Sequence, residues 1–320
     1  MLPDSLVAAA ARLGGVVHRT PVLTSRLLDQ QVRAEVVLKA EHLQATGSFK
    51  IRGAYNAVTV LQEREPGRQV VSFSSGNHAQ AVARAAQLHA VPATIVMPSD
   101  APTSKRSATE AYGARVITYD RVSEDRAAIA RAVADELGAA VIPPFDHDDV
   151  IAGQSTVAQE LFDQVGELDV LVVCVGGGGL ISGCALAAHH LSPNCKVIGV
   201  EPEAGDDVRQ SLRAGRIVEI DVPDTIADGQ QTTAPGARNF EIIRRHVDEV
   251  VTATDAEIIH AMDHMFRYQR QVVEPSGASA LAAVLAGRIE VAGLRVGVTL
   301  SGGNIDPERF SALLNTRGSS

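Results

Sequence analysis

In TGSFKIRGA, residues 46–54, a lysine stands two residues after a serine, where the pattern reads as the start of a helix. The positive end of a helix dipole opposes a cation there by roughly 0.3–1 kcal/mol. Lys50 is therefore either a solvated helix-end lysine or an amine whose proton is easily lost. Three other clusters bear on that choice. GGGGLISG opens with Gly176, Gly177, Gly178 and Gly179, whose backbone N–H groups can turn together toward one anion with a helix start behind them. The dinucleotide pattern G-x-G-x-x-G fails here because Ile181 holds the sixth position, and no G-K-[ST] follows. SSGNH, comprising Ser74, Ser75, Gly76, Asn77 and His78, offers short hydroxyls and backbone donors to a small anion such as a carboxylate. The same residues also make an ordinary helix cap. SGGN, starting at Ser301, is open between a cap and a donor to a heterocycle.

These clusters follow apolar runs that read as strands: QVVSF (69–73), ATIVMP (93–98), ARVITYD (114–120), LDVLVVCV (168–175), KVIGVE (196–201) and RVGVTL (295–300). Each is too continuously apolar for a half-solvated sheet. Helical stretches lie between them, among them 155–165 and 255–270. Such alternation predicts an α/β protein with parallel sheets covered by helices on both faces. The prolines of VIPPFDHDDVIAG (141–153) read as a crossover between two units. The expectation is two doubly wound domains, 46–145 being the smaller and 1–45 with 146–320 the larger. Ligands of open α/β sheets gather beyond the carboxyl ends of the strands, which is where the clusters fall.

Composition narrows the function. With 320 residues, 45% of them hydrophobic, the chain can bury a core in each domain. A net charge of −9 without a basic block argues against nucleic-acid binding. No apolar run reaches membrane-spanning length, and the N-terminus lacks the basic region of a signal peptide. Cys174, Cys184 and Cys195 form no C-x-x-C pair, which fits reduced, buried thiols in a cytoplasmic protein and excludes a cysteine zinc site.

A lone lysine, a phosphate-sized glycine cradle and a carboxylate-sized turn together describe a cofactor that carries its own phosphate and bonds to an amine, as pyridoxal 5'-phosphate does. SFKIRGA, SSGNH, VGGGGLISG, TIADG and LSGGN, in that order, resemble the motifs of fold type II pyridoxal-phosphate enzymes, whose fold is tryptophan-synthase-β-like. The resemblance is to the serine/threonine dehydratase and serine racemase group and covers nearly the whole chain. It implies that Lys50 is the Schiff-base lysine, that Phe49 packs beside the cofactor and that Asn77 meets its phenolic oxygen. It further implies phosphate binding by Gly176 to Gly179, with Ser301 facing the pyridine nitrogen. Ser74, Ser75, Gly76, Asn77 and His78 would hold the substrate carboxylate.

The implied activity is an ammonia-lyase acting on L-serine, L-threonine or L-threo-3-hydroxyaspartate. Ser75 points also toward a serine racemase, where it would exchange a proton on the face opposite Lys50; capping alone is its plainer role. A β-replacement synthase using the same dehydrated intermediate is the third reading. Arg126, after Ser123 as a helix cap, is either a solvated surface residue or the partner of a second substrate carboxylate. EPEAGDD supplies Glu201, the Gly205 carbonyl and Asp207, a spacing suited to Mg²⁺ or Ca²⁺, with Mn²⁺ a further candidate. Relatives of this group are commonly homodimers, so a homodimer is expected.

Overall fold

The computed structural model describes residues 3–74, 76–101, 103–120 and 123–316. Ten strands are present: β1 (Val22–Thr24), β2 (Glu35–Lys39), β3 (Val70–Phe73), β4 (Ala93–Pro98), β5 (Arg115–Tyr119), β6 (Ala140–Val141), β7 (Val170–Cys174), β8 (Lys196–Pro202), β9 (Glu249–Ala253) and β10 (Arg295–Thr299). They form a six-stranded sheet in the order β1-β2-β10-β7-β8-β9 and a four-stranded sheet in the order β5-β4-β3-β6. All pairings are parallel except β1 with β2, which departs from the all-parallel expectation at one edge.

The central strands are buried on both faces, which explains their continuously apolar sequence; β5, at one edge, departs from that expectation by exposing Arg115 and Thr118. Val170 and Val172 of β7 belong to one core cluster, while Leu171 and Val173 belong to another on the opposite face. In the smaller sheet Val70 and Ile95 pack on one side, Val71 and Val96 on the other. Fully burying such a side chain is worth about 1.5–3 kcal/mol, so a one-residue slip in register would move the contacts of a whole strand to the wrong layer.

Two helices differ from the sequence pattern. The stretch predicted over 155–165 begins earlier, as Asp148–Val165, because His147 accepts a hydrogen bond from Asp149 N and Asp148 and Asp149 favour the first turn. The stretch 255–270 is α-helical over Asp255–His264 and π-helical over Met265–Gln269.

A buried charge network joins the helix Lys50–Arg64 to the helix Asp148–Val165. Arg52, wholly buried, donates to both oxygens of Glu41 and both of Glu160, at 2.7–2.8 Å. Lys39 adds bonds to Glu160, Gln164 and the Thr20 carbonyl. Two cations facing two carboxylates, each richly hydrogen-bonded, offset the desolvation that a lone buried charge would suffer. The two helices also touch closely: a β-carbon on Gly153 would lie 2.4 Å from the Arg52 carbonyl oxygen. The Lys50 helix is thereby held two residues from its first residue.

Candidate active site

The carboxyl ends of β3, β7 and β10 open on one cleft, the place where ligands of open α/β sheets gather. Lys50, Phe49, Ser74, Gly76, Asn77, His78, Arg126, the four glycines and Ser301 all line it. Residues predicted from separate motifs thus converge. Ser75 lies outside the described residues.

Lys50 is the first residue of its helix, as the sequence reading required, and its Nζ donates to the Pro144 carbonyl at 3.0 Å. Its pKa is lowered to about 8. Burial is the largest cause, and Cys174 and Glu274 only partly oppose it. Desolvation thus lowers the pKa without any appeal to the helix dipole invoked from sequence. The Phe49 ring lies 5.2 Å from the amine.

The glycine run is forced by its neighbours. Gly178 has φ 96°, a left-handed conformation open to glycine at no steric cost. A β-carbon on Gly177 would fall 2.4 Å from the Phe145 ring. Asn239 locks the loop by donating from Nδ2 to the Gly177 and Phe145 carbonyls, at 2.9 and 3.2 Å. Beyond it starts the helix Gly179–Leu191, with no side-chain cap. Its first N–H groups have no partner within the helix and remain available to an anion.

SSGNH leads into the helix Asn77–Leu88, again uncapped by a side chain. The Asn77 amide is held at both ends: Nδ2 donates to Glu274 Oε1 at 2.6 Å, and Oδ1 accepts from Asn304 Nδ2 at 2.8 Å. His78 turns its ring inward, donating from Nε2 to the Ile142 carbonyl at 3.1 Å. Burial, reinforced by Lys50, lowers its pKa to about 3, so the ring is neutral and its contribution to an anion site is its backbone. Ser301 is buried, its Oγ donating to the Ser276 carbonyl over a long 3.4 Å and lying beside the Cys174 thiol.

Arg126 begins the helix Arg126–Leu137, with its guanidinium 5.8 Å from the centre of the Phe73 ring. The cap is Asp125, whose Oδ1 accepts from Ala127 N and Ala128 N, and not Ser123 as the sequence suggested. Asp125 sits directly before the first helical residue, the position from which a short carboxylate reaches the second and third N–H groups.

Three charged cleft residues escaped the sequence reading: Lys105, Asp228 and Glu274. Burial and Asp228 raise the pKa of Glu274 to about 8, against the pull of Lys105. The readable signal for Glu274 was the proline after it, which marks the start of the helix Pro275–Leu285. Gln230 and Gln231 also line the cleft and act as straps: Gln230 Nε2 donates to the Val175 and Val200 carbonyls, and Gln231 Nε2 to the Thr225 carbonyl.

Glu201 and Asp207 lie apart from the cleft lining. Glu201 accepts from Val208 N and Arg209 N at 2.8 and 2.9 Å, capping the helix Asp207–Ala214 from a distance. Both Asp207 oxygens are buried without a hydrogen bond of normal geometry. Burial and mutual repulsion hold the Glu201 carboxyl well above the usual range. Among the described residues no group of three or more His, Cys, Asp or Glu side chains is arranged to hold a metal.

Comparison with known proteins agrees with this geometry. A family model described as pyridoxal-phosphate dependent enzyme matches residues 14–302. L-threo-3-hydroxyaspartate ammonia-lyase from Saccharomyces cerevisiae is 51% identical over 307 residues, covering 96% of this chain and 94% of that protein. Serine racemase from Schizosaccharomyces pombe is 47% identical over 312 residues, covering 98% and 97%. The solved structure of maize serine racemase matches with a TM-score of 0.93 at 39% identity, covering 98% of this chain and 97% of that one.

Proposed function

The chain belongs to the pyridoxal-phosphate dependent enzyme family, and we propose that it is an ammonia-lyase converting a β-hydroxy amino acid to a 2-oxo acid and ammonia, with L-threo-3-hydroxyaspartate preferred over L-serine and L-threonine. The carrying observation is the placement of Lys50, a half-buried amine with a pKa lowered to about 8, in one cleft with a glycine cradle and the cation Arg126. The ammonia-lyase relative that shares 51% of its residues is named for this substrate.

The residues fit the cofactor. The glycine loop presents unpartnered helix-start donors where a phosphate would sit, and a side chain at Gly177 has no room. Asn77, locked by Glu274 and Asn304, would meet the ring hydroxyl, and Ser301 the ring nitrogen. When bound, the cofactor supplies an electron sink beside the substrate α-carbon. Lys50 Nζ, poised near neutrality, is the base that takes the α-proton. Backbone donors of Asn77 and His78 orient the α-carboxylate, joined by Gly76 N–H once it leaves Ser74 Oγ, to which it donates at 3.2 Å, and Arg126 at the cleft wall receives a second one. Loss of the β-hydroxyl as water, then hydrolysis, releases oxaloacetate and ammonia from hydroxyaspartate. Serine racemisation as a side activity has a specific support, the 47% identical serine racemase together with Ser75 in the sequence.

We also infer a divalent cation, Mg²⁺, Ca²⁺ or Mn²⁺, at Asp207, Glu201 and the Gly205 carbonyl, completed by water; the two buried carboxylates repel each other, and both Asp207 oxygens lack a hydrogen bond of normal geometry. The division into 46–145 and 1–45 with 146–320, a homodimer and a cytoplasmic location complete the proposal. The three cysteines are free and buried, in keeping with a reducing compartment. No helix among the described residues is long and apolar enough to cross a membrane.

The test is oxo-acid release from L-threo-3-hydroxyaspartate, L-serine, D-serine and L-threonine, with enantiomer exchange scored in parallel. Lys50→Ala should lower turnover by about 10³-fold or more. Turnover persisting in that variant, or no release from any of the four, would overturn the assignment.

A further inference from the structure

Beyond the residues given a role above, the cleft holds one more cation. Lys105 belongs to the helix Thr103–Ala111 beside the four-stranded sheet, and its side chain is 13% exposed. Its ammonium donates to Asp228 Oδ2, on the short turn Asp228–Gln230 that follows TIA of the TIADG motif. Lys105 Nζ also lies against the substrate-facing turn: a β-carbon on Gly76 would be 3.4 Å from it. Burial pulls its proton affinity down, but Asp228 and Glu274 outweigh that and hold it above its ordinary value. Lys105 is therefore an ammonium. Asp228 is 38% exposed. The pair joins an enclosed cation to an anion that has water within reach.

We propose that Lys105 binds the second carboxylate of a dicarboxylic hydroxy amino acid, and that Asp228 occupies this place as an internal carboxylate until the substrate displaces it. The proposal rests on reading the chain as a hydroxyaspartate ammonia-lyase. An α-carboxylate has its own donors in the backbone of the turn before Asn77, so the enclosed ammonium beside that turn is free for a further anion. Exchanging one carboxylate for another on the same ammonium keeps the charge balance of the cleft. A hydroxymethyl or hydroxyethyl side chain cannot make the exchange and leaves the pair closed. The pair thereby discriminates: it rewards a second carboxylate and offers nothing to serine or threonine. Arg126, exposed at the cleft wall, would complete the recognition from the Phe73 side.

Steady-state kinetics of the holoenzyme test this, with L-threo-3-hydroxyaspartate and L-threonine as substrates and succinate as a competing dicarboxylate. In Lys105→Met the KM for hydroxyaspartate should rise by about tenfold more than the KM for threonine, with Lys105→Arg restoring much of the preference. In Asp228→Asn the inhibition constant of succinate should fall, because Lys105 no longer has an internal partner. An equal rise in both KM values for Lys105→Met would overturn the proposal and mark Lys105 as an α-carboxylate or structural residue. Unchanged succinate inhibition in Asp228→Asn would overturn it independently, even if Lys105→Met fails to fold or to bind cofactor. A wild-type enzyme that consumes threonine but not hydroxyaspartate would defeat the substrate assignment itself, a result distinct from either variant's.

Discussion

Helices begin in two ways in this protein. Side chains close several N-termini: Ser25 accepts from Leu28 N, Thr254 and Glu257 form a reciprocal capping box, and at the cleft wall Asp125 accepts from Ala127 N and Ala128 N. Where no neighbouring residue serves, a distant carboxylate does, as Asp146 does for the helix Ala237–His246. At the cleft, the helices Asn77–Leu88, Gly179–Leu191 and Pro275–Leu285 start with no side-chain cap, while Gln154 Oε1 reaches across to accept from Gly53 N in the first turn of Lys50–Arg64. An uncapped start leaves backbone N–H groups without partners and forgoes about 1 kcal/mol. Two other uncapped helices, Asp4–Leu13 and Pro307–Asn315, begin with exposed residues, where water can serve. Among the helices whose starts are described, uncapped ones away from water therefore fall at the cleft proposed to take anionic groups. There a bound anion would offset the lost stability.

The strongest way to break this comparison is to fill the cradle. In Gly177→Ala the new β-carbon meets the Phe145 ring at 2.4 Å, and either the ring or the loop must move. The loop's donors then lose their alignment. Cofactor affinity, followed by absorbance on titrating apoprotein, should fall by about 10-fold to 100-fold. An unchanged affinity would mean that the cradle is a packing device and that the free N–H groups of Gly179–Leu191 serve nothing.

The helix Asp207–Ala214 lies between the two classes, capped by Glu201 yet carrying the orphaned oxygens of Asp207. A cation would settle both carboxylates. Millimolar Mg²⁺ or Ca²⁺ should therefore raise Tm by a few degrees, and a chelator should reverse it. Asp207→Asn should abolish the response. A Tm indifferent to both additions would remove the metal and leave this helix among the ordinary capped ones.

Glu274 sharpens the comparison through pH. Its folded-state pKa, raised to about 8 from an ordinary 4.5, means that the folded protein holds this proton more tightly than the unfolded chain does. The resulting stability is fully present below pH 4.5 and is lost as pH rises through about 8. Unfolding free energy followed across that window should fall less steeply in Glu274→Gln than in the parent. Equal slopes would show that Glu274 is ionised in the folded state, stabilised by Asn77 and Lys105 more than burial opposes it.

Much of this was legible in the sequence because the cleft is built from motifs that terminate strands. β3, β4, β7, β8 and β10 stood out as continuous apolar runs, since burial on both faces leaves little polar alternation to confuse them, and β5 stood out on Val116 and Ile117 although it exposes Arg115 and Thr118 at the sheet edge. β1 and β6, of three and two residues, are too short to carry a pattern, and β2 and β9 each open on an exposed glutamate. Lys50 and the glycines were legible because their local sequence is costly unless it serves a ligand. Asp228 and Glu274 were not, because a carboxylate near a helix start reads as a cap. Lys105 was hidden for a different reason: it lies within a polar helix, and only the folding of the smaller sheet against the TIADG segment brings it to Asp228. Arg52 likewise needs four separate segments before its burial makes sense.

The smallest effect belongs to the opposite pole of the comparison, the capping box of the helix Asp255–His264. Thr254 Oγ1 accepts from Glu257 N at 3.2 Å while Glu257 Oε2 accepts from Thr254 N at 2.8 Å. Glu257 also receives Arg288 at 2.8 Å, so this helix start is tied to the loop after Leu285 as well. Thr254→Ala removes one acceptor and leaves the Glu257 arm in place. The expected cost is about 1 kcal/mol, read as a lower denaturant midpoint with an unchanged slope. Cofactor affinity and the KM for hydroxyaspartate should stay as they are, since neither residue lines the cleft. A change in either would show that the capped and uncapped helix starts are mechanically coupled, and the division between structural and ligand-binding N-termini would fail at its plainest case.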